Sequence, residues 1–260
     1  MRRLATRMRT VLAGLPPARG LLPLVLLLAV WQLLQSGPSP YFPAPSQWWT
    51  ATLALLDRQH LAAAFGATAL TFLAGLGLAI AIGTALGVLV GLSDRAARAL
   101  APLLEFMRAI PPPVTVPVAA LLIGYNERMK LTVVVLSALW PVLLNASAAV
   151  RQIDPVLLDV ARSFRLGPAA RLSRVILPAI VPSLLTGIRV AIPLAIVVTL
   201  LVEMLTSLPG VGALMIMSQR NYQSSEVYAL LVLVGLFGFV VNDLFALIEA
   251  AILRRRPPRG

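Results

Sequence analysis

The chain has 260 residues, of which 59% are hydrophobic and 12% charged, no cysteine, and a formal net charge of +12. Soluble domains carry about a quarter charged residues, so this composition excludes an ordinary soluble protein and reads as a polytopic membrane protein. The basic excess sits in short segments between apolar runs, where it marks topology, and therefore argues against nucleic-acid binding; without cysteine there is neither a disulfide framework nor thiol chemistry.

Apolar runs at 61–92 and 227–253 exceed the roughly 20 residues that cross a bilayer as helix, and strand-type alternation is absent, so the expected fold class is all-α, a bundle of six transmembrane helices. A basic N-terminal segment, 1–20, carries Arg2, Arg3, Arg7, Arg9 and Arg19. The first span, 21–35, is short and resembles a signal peptide, but no small-x-small cleavage site follows it, so it is read as an uncleaved helix. The Pro-rich stretch SGPSPYFPAPSQWW then leads into a weak amphipathic helix over 47–56, with Trp48 and Trp49 suited to the headgroup belt. His60, the one histidine, cannot supply a metal cluster or proton relay by itself and is placed at an interface.

The second span lies within 61–92. Its Gly83, Gly87 and Gly91 form GxxxGxxxG, which lets helices approach closely, within the chain more readily than between copies. After a turn holding Asp94, Arg95 and Arg98, a third span is expected over 101–124, interrupted by PPPVTVP; it is either a lining of the pathway or a kinked packing helix. The fourth span is read at 131–150, after a short outer loop holding Arg128 and Lys130; the fifth at 181–205; and the sixth at 227–253, with a basic tail at 254–260. Arginine at both ends places both termini on the cytoplasmic side by the positive-inside rule.

Between the fourth and fifth spans lies a hydrated basic loop, 151–180, containing DPVLLDVARSFRLGPAARLSRVILP. Asp154 and Pro155 read as a helix start, and Gly167 with Pro168 as a stop and restart. Leu157, Ala161 and Phe164, with Val160 beside them, give a short helix one apolar face, leaving Asp159, Arg162 and Arg165 elsewhere. Such a helix either lies on lipid or plugs into a socket on a partner.

In this loop the sequence resembles the permease subunits of binding-protein-dependent ABC importers, whose pattern is E-A-A-x-x-x-G, nine residues, then I-x-L-P. In register the chain supplies Asp159, Val160 and Ala161, then Arg165 where the family has Gly, then Val175, Leu177 and Pro178. PSLLTGIR, the Val202–Glu203 pair, YFPAPSQWW, LLEFMRAIPPPVTVPVAALLIGYNERMK and LPGVGALM extend the resemblance over nearly the whole chain, toward the sulfonate, taurine and nitrate branch.

The resemblance implies a type I importer permease fold over 21–253 and a coupling helix that docks on separate ATPase subunits through Asp159, Val160, Ala161, Arg162, Phe164, Arg165 and Gly167. It also implies two such ATPases, a permease homodimer in the bacterial inner membrane, an extracytoplasmic substrate-binding protein and a small anionic solute. With Arg165 in place of Gly, the bend after the coupling helix is expected to shift toward Gly167.

No Walker A loop is present, since the only lysine, Lys130, follows NERM; no cofactor is expected in this chain, ATP and Mg being bound by the partner ATPase. No nucleophile with a base, no metal cluster and no paired carboxylates argue for an enzyme.

Polar residues within spans are functional by default. Glu203, Asn145, Thr199 and Met204 are the candidates for the pathway or a gate, Glu203 as a gate or structural hydrogen-bonding group. Glu105, Arg108, Arg189 and Glu249 sit at span ends, where long side chains snorkel. The competing reading is a self-sufficient secondary transporter or channel driven through Glu203 and Asp243.

Overall fold

The structure is a computed structural model that describes residues 18–35, 41–57 and 60–254. The basic N-terminal residues 1–17, the Pro-rich 36–40, Arg58 and the tail 255–260 lie outside the described residues, as does the His60 side chain. Among the described residues every regular element is helical: α1 (Ala18–Leu34), α2 (Pro45–Asp57), α3 (His60–Gly91), α4 (Asp94–Ala109), α5 (Pro112–Ile123), α6 (Glu127–Arg151), α7 (Pro155–Ser163), α8 (Pro168–Arg171), α9 (Leu177–Thr206), α10 (Val211–Arg220) and α11 (Ser224–Arg254). A π-helical turn, Leu172–Ile176, joins α8 to α9.

Helix starts follow local chemistry. Ser93, Asn126 and Asp154 cap α4, α6 and α7 by accepting from the backbone N–H of Ala96, Met129 and Val156, satisfying donors that the first helical turn leaves without partners. The π turn precedes Pro178, whose ring cannot sit under the carbonyl four residues earlier in a regular helix; the Leu177 N–H instead bonds back to Leu172.

Among the described residues, four helices are long and apolar enough to cross a membrane: α3, α6, α11 and the continuous run from α8 through α9. The third sequence-predicted span is not one helix. α4 and α5 meet at 93° across the Pro-rich break, and only if this pair is taken as one crossing does the number reach five. Three consecutive prolines, Pro111 to Pro113, remove donors and force Ile110 into an extended conformation, so the chain turns rather than kinks. α1 is a shorter apolar helix.

The most buried span is α6, with 67% of its apolar window inside the protein, against none of that of α11. Phe72 and Ala79 of α3, Val133, Val134, Ala138 and Val142 of α6, and Ala191, Ala195 and Val202 of α9 are wholly buried between these three helices. The glycine series of α3 works within the chain, facing α6: a Cβ on Gly83, Gly87 or Gly91 would come within 3.0, 2.5 and 2.7 Å of Val142, Leu143 and Val150. α1 is held at its C-terminal end by an aromatic cluster, Trp31 against Trp48 and Tyr228 with ring centroids 5.2 and 5.5 Å apart, and by Gln32 accepting from the Ser46 N–H.

Candidate functional site

Two places in the bundle concentrate chemistry, at opposite ends of α6 and α9. The first is the loop after α6. Asp154 and Pro155 start α7 as their types dictate, and Asp159 pairs with Arg162 at 2.8 Å on its hydrated side. The apolar residues divide between two faces. Ala161 is only 3% exposed, and Leu158 packs toward the cluster of Val88, Ala149, Val150, Ile176 and Ile180. Val156, Leu157, Val160 and Phe164 face outward, Phe164 at 77% exposure. Ala161, expected on the docking face with Phe164, is buried within the chain, whereas Phe164 is exposed.

The bend after α7 is not displaced to Gly167. Leu166 N–H bonds to the Ala161 carbonyl and Arg165 N–H to that of Arg162, the paired bonds of a left-handed helix stop. Arg165 itself has φ +52, the conformation glycine enters at least cost. Arg165 therefore forms the bend itself, in a backbone shape that favours glycine. Gly167, with φ −62, opens α8.

The second place lies at the far end of α9. Glu203, with no exposed surface, is approached by three donors: Thr68 Oγ1 of α3, 3.0 Å from both carboxylate oxygens, Gly212 N at 3.0 Å, and Lys130 Nζ of α6 at 3.5 Å. Lys130 is also fully buried. Its ammonium donates to the Pro209 carbonyl at 2.9 Å and reaches Glu127 Oε2 at 2.9 Å, so its three N–H groups match three acceptors. Thr68 accepts in turn from Val211 N at 2.9 Å.

The LPGVG segment supplies this cage. Pro209 presents a carbonyl, Val211 and Gly212 present N–H groups, and the glycines let the backbone close in, since a Cβ on Gly210 would lie 2.1 Å from the Glu203 carboxyl carbon and one on Gly212 2.4 Å from the Leu200 carbonyl oxygen. Lys130, read from the sequence as an outer-loop charge, is a buried partner of Glu203.

The remaining pathway candidates do not join this cluster. Thr199 Oγ donates to the Ala195 carbonyl, and Asn145 Nδ2 to the Pro141 carbonyl, each within its own helix. Met204 is half-buried. Glu203, Asn145, Thr199 and Met204 are absent from the walls of two cavities, one at the α4–α5 elbow and one beside α10. Asp243 stands exposed on α11. Among the span-end residues, Arg108 pairs with Glu105 at 3.0 Å and Arg189 of α9 bonds Glu249 of α11.

A cavity of 190 Å³ lies at the α4–α5 elbow, lined by Arg108, Thr115, Ser137 and Trp140 among others. A second, of 650 Å³, lies between the start of α3 and α10, with Ser207, Pro209, Gly210 and Arg220 in its wall.

The family model described as binding-protein-dependent transport system inner membrane component matches residues 79–256, a stretch that includes the α7 loop, Lys130 and Glu203. The chain belongs to that family. The permease is 31% identical to the bicarbonate transport system permease protein CmpB of Synechococcus elongatus, over 87% of this chain and 86% of the relative. It is 27% identical to the nitrate import permease protein NrtB of Synechocystis sp., over 88% and 87%, and 28% identical to the putative aliphatic sulfonates transport permease protein SsuC of Bacillus subtilis, over 92% and 87%.

Its fold resembles a chain of the inward-facing MetNI methionine ABC transporter, with a TM-score of 0.63 and 15% identity over 72% of this chain and 93% of that one. A chain of an amino acid ABC transporter gives a TM-score of 0.60 at 15% identity, over 78% and 98%. The permease is thus a multi-pass inner-membrane subunit of an ABC importer, in a family of transport components rather than enzymes.

Proposed function

We propose that the permease forms, as a homodimer, the path for a small anion of the nitrate, sulfonate or bicarbonate kind, and that α7 is the helix through which two separate ATPase subunits drive it. The observation that carries this reading is the face of α7 that the chain itself leaves uncovered, Val156, Leu157, Val160 and Phe164, beside the exposed Asp159–Arg162 pair. A short helix anchored by Ala161 and offering an apolar stripe with charged flanks has the form of a plug for a partner's groove. The three named relatives supply the solute class.

In this reading there are six crossings with both termini in the cytoplasm: α1, α3, the bent α4–α5 pair, α6, α9 and α11. An extracytoplasmic binding protein delivers the solute, ATP and Mg reside on the ATPases, and closure of the two ATPases draws two α7 helices together and swings the attached spans. Glu203 serves a structural or gating role at the outer end. The gradient-driven alternative gains nothing from the geometry, because the Glu203 carboxylate is fully engaged by Thr68, Lys130 and Gly212.

Phe164→Asp tests the coupling. The variant is expected to insert normally and to lose co-purification with the ATPases and ATP-dependent uptake. Retention of both would refute the assignment, and gradient-driven uptake by this chain reconstituted alone would replace it.

A further inference from the structure

Lys130 and Glu203 are both fully buried, and neither faces a cavity described above. Every N–H of the ammonium has an acceptor, and each carboxylate oxygen has two donor groups within reach: Thr68 and Lys130 for one, Thr68 and Gly212 for the other. The elements joined are α3, α6, α9 and the loop into α10. That loop and α10 supply Ser207, Pro209, Gly210, Ala213, Leu214 and Arg220 to the wall of the 650 Å³ cavity, so the position of the wall follows from the position of the cluster.

We infer that the Lys130–Glu203–Thr68 cluster is a permanent clamp: it stays closed through the transport cycle, fastens the 207–212 loop and α10 to the outer ends of α3, α6 and α9, and makes these parts move as one body. Lys130 and Glu203 are positioning residues, not carriers of an ion or contacts of the solute. Opening the clamp would leave the wholly buried Glu203 carboxylate without its cationic partner, whereas Lys130 would keep Glu127 of its own helix; a buried charge without a partner is strongly disfavoured. The inference rests on the proposed swinging of the spans, and it fixes which parts do not move relative to one another.

The complete complex with its ATPases and binding protein, reconstituted in lipid vesicles, provides the test, with nitrate, taurine and bicarbonate supplied in turn. Lys130→Met and Glu203→Gln are each expected to assemble and hydrolyse ATP at the basal rate while losing binding-protein stimulation at least about tenfold, and the double variant, with no charge left buried, to recover stimulation to within about threefold of the parent. A double variant as inactive as the singles overturns the positioning role.

Because the chain has no cysteine, Thr68→Cys/Val211→Cys introduces its only thiols, at the two residues joined by the bond from the Val211 N–H to the Thr68 hydroxyl. This arm decides the matter if a single charge variant fails to insert. Equal stimulation of the oxidised and reduced forms is expected; loss on oxidation that a reductant restores would show that the clamp opens during the cycle. Stimulation of the parent complex reports the transport reading itself, separately from any difference among variants.

Discussion

The carbonyl oxygen of Leu143 lies 2.5 Å from where a side chain on Gly87 would begin. α3 and α6 therefore touch backbone to backbone, which leaves no room even for a methyl group unless one helix moves. Gly87→Val is expected to lower the stability of the purified protein by at least about 1–3 kcal/mol, the usual range for overpacking. Gly77, where an added Cβ meets nothing within 4 Å, is the contrast, and Gly77→Ala is expected to gain about 0.5–1 kcal/mol. Thermal unfolding in detergent checks both.

Arg165 holds a left-handed backbone conformation at the end of α7. For a residue with a Cβ this costs roughly 1–2 kcal/mol, so Arg165→Gly is expected to raise the thermal midpoint while leaving ATPase co-purification intact. Arg165→Val, β-branched at the same φ, is expected to lower it. A fall in stability for the glycine variant would mean that the arginine side chain contributes more than its backbone costs.

The two faces of α7 separate folding from docking. Ala161 is buried and Phe164 exposed, so Ala161→Glu is expected to reduce the thermal stability of the isolated chain by about 2–4 kcal/mol through a charge with no partner. Phe164→Asp is expected to shift it by less than about 0.5 kcal/mol. Unfolding curves of the two variants, measured without ATPases, read the difference directly.

Arg189 and Glu249 tie α9 to α11, and the carboxylate is the more enclosed partner, at 14% side-chain exposure against 57%. Removing the arginine leaves an enclosed charge, so Arg189→Ala is expected to cost about 1–3 kcal/mol and Glu249→Gln less. The double variant Arg189→Ala/Glu249→Gln is expected to be more stable than Arg189→Ala alone. A double-mutant cycle on thermal stability measures the coupling.

Features written in neighbouring residues were legible in the sequence, and features that needed a distant partner were not. Asp154 followed by Pro155 carries its own start signal, and α7 begins there; PPPVTVP announced a break, although the 93° turn depends on packing that no local pattern encodes. Lys130 illustrates the opposite case. Within NERMK it has the form of a solvated loop charge, and the carboxylate that draws it inward is 73 positions away.

The signal that would have found the pair is compositional: the chain's only lysine lies close to an apolar span, and a second span carries an acid near one end. Ala161 and Phe164 share an arc by their three-residue spacing, but Phe164 is the cap one residue past the end of Pro155–Ser163, where helical periodicity no longer fixes which way a side chain faces.

The elbow between α4 and α5 has a consequence for the surrounding lipid. α5 has 12 residues, about 18 Å of helix, against a hydrocarbon layer about 30 Å thick. Along that side of a lone chain the apolar wall is too short, and lipid there would have to thin at a cost of fractions of a kcal/mol for each ångström of mismatch. A protein surface set against Val114, Val118, Leu121 and Leu122, all exposed on α5, would spare the bilayer that deformation.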